Sequence, residues 1–133
     1  MANYLLDTNT TSYIIKGNIS AVHRRLLRVP MNQVFVSSVT EGELRYGAAK
    51  RPTATKLQQL VEEFLLRTTV LPWDSDAAKE YGHLRADLQR LGQPIGNLDL
   101  MIGSHALAVG AILVTNDQVF GRIKKLKIEN WTV

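Results

Sequence analysis

Short apolar segments rich in β-branched and aromatic residues recur along the chain, separated by stretches with the three- and four-residue spacing of helices. The apolar segments predict five short strands: Tyr4–Leu6, Val34–Val36, Thr69–Leu71, Ile112–Val114 and Lys127–Ile128. Strands that alternate with helices are typical of an α/β fold with a short, mainly parallel sheet and helices on both faces. We predict this fold class, as a single domain over residues 1–133.

The helices are predicted from apolar spacing and from the residues that begin and end each segment. In Thr55–Arg67 the apolar residues follow the i, i+3, i+4, i+7, i+8 spacing of one helix face: Leu57, Leu60, Val61, Phe64 and Leu65. Capping residues and Gly or Pro stops predict five more helices: one ending near Gly17, one over Ser20–Arg28, one from Ser37–Thr40 to before Pro52, one from Asp74 or Ser75 to Gly92, and one from about Leu98 to Val109.

The composition restricts the class of protein. Hydrophobic residues make up 45% of the chain, enough for a single core, and no cysteine is present to form a disulfide or a thiolate metal site. The first residues lack the pattern of a signal peptide. The longest mostly apolar stretch, Leu100–Val114, is shorter than the roughly 20 residues that a membrane span requires. We expect a soluble, cytoplasmic protein without membrane association.

Four acidic residues from distant parts of the chain are predicted to meet at one edge of the sheet. Asp7 directly follows the first strand, and Asp117 follows the fourth. Asp99 opens a helix that leads into the fourth strand, and Glu43 lies in the first two turns of the helix after the second strand. In a parallel sheet, ligands bind beyond the carboxyl ends of the strands, where all four positions lie.

Carboxylates held this close repel one another, so such a cluster favours a bound cation. Hard ions such as Mg²⁺ or Mn²⁺ prefer oxygen ligands, and either one or two ions fit the pattern. The net charge is +4, and with four acids enclosed at a metal site the remaining 16 basic and eight acidic residues would leave a surface of +8. A positive surface around an acidic centre suits a phosphodiester substrate, and no small-molecule cofactor is indicated.

Each acid also has a structural interpretation when it is considered alone. Asp7 and Asp99 are well placed as helix caps, Asp117 as a turn residue and Glu43 as a solvated helix residue. Glu41 competes with Glu43, because residues two apart on a helix point about 200° apart and only one of them can face the site. Topology alone leaves these alternatives open.

Four segments, in order, are similar to the motifs of the PIN-domain family, and more narrowly of VapC-type toxins of VapBC toxin–antitoxin systems. They are Leu5–Asn9, Ser37–Gly47, Pro94–Ile102 and Leu113–Asp117. The similarity extends to the closing residues Glu129–Trp131.

The resemblance implies a metal-dependent endoribonuclease in which water attacks the phosphorus and leaves a 5′-phosphate and a 3′-hydroxyl. Asp7 and Asp99 match the firmest metal ligands of the family, and Glu43 is selected over Glu41 because it precedes Leu44–Gly47. The fourth acid varies among relatives, and here Asp117 must supply it, since no acid follows before Glu129.

The resemblance also implies partners. Family members cleave RNA, often structured RNA such as tRNA, are held inactive by a cognate VapB-like antitoxin, and usually form homodimers. One departure from the family pattern is Asn97, where many relatives carry Pro, and this should alter the rigidity of the loop more than the chemistry.

Several other residues border the predicted site or offer rival chemistry. Six could orient a carboxylate or contact the substrate, although capping or surface ion pairing explains them nearly as well: Thr8, Asn9, Ser38, Thr115, Asn116 and Arg85. Candidate phosphate contacts are Arg24, Arg25, Arg28, Lys124, Lys125 and Lys127. Of the three histidines, His23 and His83 are predicted to be exposed, and His105 to be packed rather than catalytic.

Two other functions remain open on the sequence alone. A phospho-acceptor module also gathers acids around Mg²⁺, but it needs paired acids near the first strand, and this chain has only Asp7 there. A PIN-type nuclease that cleaves DNA would use the same site on a different substrate.

Overall fold

The computed structural model describes residues 2–133, and its centre is one five-stranded sheet in which every pairing is parallel. The strands are β1 (Tyr4–Leu6), β2 (Val34–Ser37), β3 (Thr69–Leu71), β4 (Ile112–Val114) and β5 (Ile128–Glu129). Their order across the sheet is β3-β2-β1-β4-β5. The predicted α/β class with a parallel sheet is therefore confirmed.

Six α-helices surround the sheet: α1 (Thr8–Lys16), α2 (Ser20–Leu27), α3 (Ser38–Ala49), α4 (Thr55–Arg67), α5 (Ser75–Arg90) and α6 (Asn97–Val109). Two short 3₁₀ helices, Met31–Gln33 and Gln118–Arg122, were not predicted, because one turn of this kind leaves no periodic pattern in the sequence. In the described part of the chain, no helix is both long and apolar enough to cross a bilayer.

Alternating side chains of the strands build a core on each face of the sheet. Leu5 and Leu113 point into one core, which is formed with α5 and α6, and their neighbours Leu6 and Val114 point into the other, formed with α2, α3 and α4. All four side chains are fully buried. The predicted placement of helices on both faces is confirmed, and the central strands are apolar on both sides for this reason.

The topology brings one end of each central strand to the same edge. β1 and β4 are neighbours in register, with Leu6 opposite Val114, so the residues that follow them emerge side by side. β2 lies on the other side of β1 and leads directly into α3. α6 runs back to the start of β4, so its N-terminus lies at this carboxyl edge as well.

Candidate active site

Asp7 is the most deeply buried of the four acids, with 4% of its surface exposed. It caps α1 by accepting a hydrogen bond from the Thr10 backbone N–H at 2.8 Å, and its own backbone N–H donates to the Val114 carbonyl at 3.0 Å. Burial raises the pKa of the Asp7 carboxyl, although hydrogen bonds from Thr115 and Thr10 act in the opposite direction. Asp7 therefore caps α1, as one interpretation of the sequence predicted, and it lies at the carboxyl edge of the sheet.

Glu43 faces the same edge from α3. The Thr8 hydroxyl donates to Glu43 Oε1 at 2.6 Å, and the Thr8 and Thr40 hydroxyl oxygens are 3.1 Å apart. Glu41 points elsewhere, since it accepts from Arg45 at 3.0 Å in an exposed ion pair on the same helix. The structure thus separates the two glutamates as the helix geometry requires.

Asp99 lies in the first turn of α6 and is half-buried. Its pKa is raised, first by burial and then by the negative charges of Asp117, Glu43 and Asp7, in that order. Because salt screens exposed charges beyond about 10 Å, these contributions are consistent with one group of interacting acids at the edge of the sheet. Asp99 is the member at which the repulsion from the other three converges.

Asp117 is exposed and begins the second 3₁₀ helix. Its carboxylate accepts from the Val119 backbone N–H at 3.0 Å, and its own N–H donates to the Thr115 hydroxyl at 3.0 Å. The same carboxylate contributes to the raised pKa of both Asp7 and Asp99. Asp117 therefore acts both as the predicted turn residue and as a member of the acidic group.

The donor set fits a hard cation by its chemistry, because it consists of oxygen atoms that carry a shared excess of negative charge. Within residues 2–133, no three acidic or histidine side chains are already arranged as a metal cage. The carboxylates of Asp7 and Asp117 bond to backbone N–H groups, and Glu43 bonds to a hydroxyl. Changes of rotamer at exposed or half-buried acids would be needed to bring the oxygens to one ion.

The supporting residues divide into those that hold an acid and those that hold the fold. Thr8 and Thr115 contact carboxylates of the acidic group. The Ser38 hydroxyl instead accepts from the Trp73 backbone N–H at 3.0 Å, which secures the start of α3 to the loop after β3. Asn116 is exposed and donates to the Tyr13 hydroxyl at 3.2 Å.

Among the described hydrogen bonds and ion pairs, none joins Arg85 or Asn9 to a carboxylate of the acidic group. Arg85 donates to the Tyr81 hydroxyl at 3.1 Å and lies over the same ring, so the ion pair considered for it does not form among the described residues. Asn9 is exposed and lines a cleft next to Glu43.

Two threonines that hold the site were not predicted in that role. Thr10 supplies the N–H that holds Asp7, and its hydroxyl donates to the Val114 carbonyl at 3.2 Å. Thr40 is fully buried beside Thr8. The available signal was the run of threonines after Asp7, but a capping preference gives the same pattern.

The rival histidines take no part in the acidic group. His105 is 1% exposed, and its Nδ1 lies 2.8 Å from the Ser37 hydroxyl, so the prediction of a packed histidine is confirmed. Burial lowers its pKa, which favours the neutral ring. His23 and His83 are exposed, as predicted.

Two of the predicted phosphate contacts, Arg25 and Lys127, lie in different parts of the fold. Arg25 forms an ion pair with Glu129 at 2.6 Å and lies over the Trp131 ring, so it secures α2 to the end of the sheet. Lys127 lies just before β5, opposite the start of β4, at the end of the sheet away from the acids. These two residues are therefore not assembled into one basic surface at the site.

Comparison with known proteins agrees with the geometry. A PIN domain family profile matches residues 4–126. The tRNA(fMet)-specific endonuclease VapC of Shigella flexneri is 38% identical over 133 residues, which is 99% of this chain and 100% of the relative. Ribonuclease VapC2 of Rickettsia felis is 38% identical over 130 residues, which is 96% of this chain and 97% of the relative.

Solved structures give the same result. The DNA-bound VapBC structure from Salmonella typhimurium superposes with a TM-score of 0.91 at 38% identity, over 98% of this chain and 99% of that chain. The VapBC2 structure from Rickettsia felis, bound to a promoter DNA fragment, has a TM-score of 0.89 at 36% identity, over 96% of this chain and 98% of that chain. This similarity along nearly the whole chain shows that it belongs to the PIN-domain family, and to the VapC group within it.

Proposed function

We propose that this protein is a Mg²⁺- or Mn²⁺-dependent endoribonuclease, the toxin of a type II toxin–antitoxin pair, formed by residues 1–133 as a single nuclease domain. The observation that carries the proposal is the convergence of four acids from separate segments at one edge of the sheet, where burial and then the charges of the other three acids raise the pKa of Asp99. A group of carboxylates that repel one another at the open edge of a parallel sheet favours a divalent cation and a phosphodiester. The names of the ribonuclease relatives support RNA as the substrate.

Asp7, Glu43, Asp99 and Asp117 would hold the ion. When bound, the ion would act as a Lewis acid that neutralises charge on the phosphate and favours the ionisation of water. The expected products carry a 5′-phosphate and a 3′-hydroxyl.

The protein's own residues orient the acids. The Thr8 hydroxyl holds Glu43, and the Thr10 N–H and the Thr115 hydroxyl hold Asp7, so these acids are supported by donors whose loss would allow them to turn. A phospho-acceptor role for Asp7 receives no support, since its carboxylate is buried and caps α1.

The partners follow from the relatives. The Salmonella and Rickettsia structures are VapBC assemblies, so we propose a VapB-like antitoxin that inhibits this chain. The Shigella relative is named for tRNA(fMet), and this name supports our proposals of tRNA as a substrate class and of a cytoplasmic activity. A homodimer remains a prediction that light scattering of the purified chain would test.

Cleavage by an Asp99→Asn variant tests the function. Because the amide would keep the shape of the carboxylate but lose its charge, we expect a loss of at least about 100-fold in Mn²⁺- or Mg²⁺-dependent cleavage of tRNA and single-stranded RNA. Asp76→Asn is the matched control, since Asp76 also lies in the first turn of a helix, is exposed, and is not among the acids that raise the pKa of Asp99.

Full activity in Asp99→Asn would disprove the site. If the wild-type chain cleaves flap DNA but cleaves neither tRNA nor single-stranded RNA, the protein is a DNA-directed nuclease instead. A wild-type chain that stays equally active after chelation of divalent ions would disprove the metal dependence.

A further inference from the structure

A cleft of about 230 Å³ begins beside Glu43 and runs between α1, α3 and α4. Thr8 and Asn9 line it at the acidic end, and its floor is apolar. Among the described residues that line the cleft, Glu43 is the one acid, whereas three are basic: Lys16, Lys50 and Arg51. The cleft therefore joins the acidic group to a region of opposite charge.

The basic residues lie at a defined distance from the acids. Lys50 follows Glu43 by seven residues, at the end of α3, and Lys16 follows Thr8 by eight residues, at the end of α1. At 1.5 Å per residue these separations are about 10 to 12 Å along the helices. The Thr8 side chain holds Glu43, so the two helices begin together at the acidic end, and their basic residues lie about two turns away.

These cations are free to bind an anion. In the described part of the chain, ion pairs engage Arg25, Arg45 and Arg90, but none of Lys16, Lys50 and Arg51. All three are exposed, so contact with a phosphate would carry a small desolvation cost. A chain of phosphates that passes the acidic group along this cleft would meet them next.

Tyr46 adds a surface for a base. It lies one turn after Glu43 on α3 and is 67% exposed, and the Lys50 Nζ lies 5.2 Å from its ring centroid. An exposed aromatic ring beside a cation is the arrangement on which proteins stack the bases of single-stranded RNA. An acidic peptide would also meet the cations, but it would make no use of the stacking face.

We propose that this cleft is a subsite for single-stranded RNA next to the cleaved phosphodiester. Lys16, Lys50 and Arg51 bind backbone phosphates, and Tyr46 stacks on a flanking base. This subsite rests on the proposed ribonuclease function and specifies how that function holds its substrate.

The salt dependence of RNA binding tests the phosphate contacts. We would measure the anisotropy of a fluorescent single-stranded oligoribonucleotide with the full chain carrying Asp99→Asn, in Mg²⁺, across a range of salt concentrations. Loss of two phosphate contacts in Lys16→Gln/Lys50→Gln should reduce the slope of log K against log salt by about 1.4. Arg67→Gln/Lys79→Gln removes the same charge from exposed positions outside the cleft and should leave the slope close to that of the parent.

Substitution of Tyr46 tests the stacking. Tyr46→Ala should weaken RNA binding by about 5- to 150-fold, whereas Tyr46→Phe should retain it.

An unchanged slope in the lysine double variant, or an equal loss in the Arg67/Lys79 control, would overturn the subsite and leave the cleft to a protein partner. Cleavage of RNA by the wild-type chain distinguishes failure of the proposed function from failure of the subsite. If the wild-type chain does not cleave RNA, the proposed function is wrong. If it does cleave RNA but the lysine double variant has an unaltered slope of log K against log salt, only the subsite is wrong.

Discussion

At the residue scale, the four acids differ in how firmly the fold holds them. Asp7 is buried and caps α1, Glu43 and Asp99 are half-buried, and Asp117 is exposed. The buried acid is held by backbone and hydroxyl donors, whereas the carboxylate of the exposed Asp117 accepts from the Val119 backbone N–H. This difference in burial suits the proposed metal site, in which Asp7 would be a fixed ligand and the more exposed acids would adjust around the ion.

The glutamates of α3 provide a matched pair. Glu43→Gln keeps an acceptor for Thr8 but removes a charge from the acidic group, so we expect RNA cleavage to fall by at least about 100-fold. Glu41→Gln removes an exposed ion pair with Arg45, which is worth less than about 1 kcal/mol, and should leave cleavage intact. RNA cleavage rates of the two variants would be measured at saturating Mn²⁺. A larger loss in Glu41→Gln than in Glu43→Gln would show that Glu43 is not the glutamate of the site.

The raised pKa of Asp99 also has a consequence for stability. Because the folded protein holds the Asp99 proton more tightly than the unfolded chain, stability without divalent ions falls as pH rises from the ordinary pKa of 3.8 through the folded pKa. Asp99→Asn removes this effect, so it should be more stable than the parent at neutral pH, with the difference closing as pH falls towards 3.8. Urea unfolding in the presence of a chelator measures the difference in the free energy of unfolding between the variant and the parent. A variant less stable than the parent at neutral pH would show that the Asp99 carboxylate is not destabilised by burial and by the other acids.

At the scale of elements, the start of α3 joins the two halves of the fold. Ser37 ends β2 and caps α3 by accepting from the Val39 N–H at 3.1 Å, while its hydroxyl also meets His105 of α6. Since the cap uses the oxygen as an acceptor, the hydroxyl proton is available for the His105 Nδ1, which favours the tautomer protonated at Nε2. One buried side chain thus aligns the helices that carry Glu43 and Asp99.

Removal of this hydroxyl should cost more than an ordinary surface change. Ser37→Ala loses a helix cap and leaves a buried ring nitrogen unpaired, so we expect a loss of roughly 1–3 kcal/mol in the free energy of unfolding. Ser75→Ala is the control, because Ser75 also lies at the start of a helix but is exposed, and Asp74 provides the cap there. Equal effects in urea unfolding would show that the Ser37 hydroxyl contributes no more to stability than that of an exposed serine without a capping role.

At the scale of the whole molecule, an acidic group that is unfavourable alone makes stability depend on the ion. Binding to the folded state alone raises stability by about 2.7 kcal/mol when the ion is at about 100 times its dissociation constant. We expect Mn²⁺ or Mg²⁺ to raise the melting temperature of the wild-type chain, and to raise it far less in Asp7→Asn/Asp99→Asn. Thermal scans with each ion measure the shift, and equal shifts in both proteins would place the ion elsewhere.

Features that depend on residues close together in the sequence could be predicted, whereas contacts between residues far apart in the sequence could not. The apolar spacing from Thr55 to Arg67 is local, so it predicted α4 at the bounds that the structure has. The contacts of Ser38 with Trp73 and of Asn116 with Tyr13 join residues far apart in sequence, and no local pattern indicates them. Glu43 was separated from Glu41 by the motif around it, and their different partners became visible only in the fold.

The sequence by itself predicted the parallel α/β class, because apolar segments and helix periodicity are local patterns in the chain, and it indicated the four acids through the motifs around them. Only the tertiary structure decided how the acids interact, with Asp7 buried, Asp117 exposed and the repulsion centred on Asp99. It also decided that Lys16 and Lys50 share a cleft with Glu43, since two helices had to pack side by side for these charges to meet. Burial and charge interactions depend on neighbours in space, and only the folded chain brings those neighbours together.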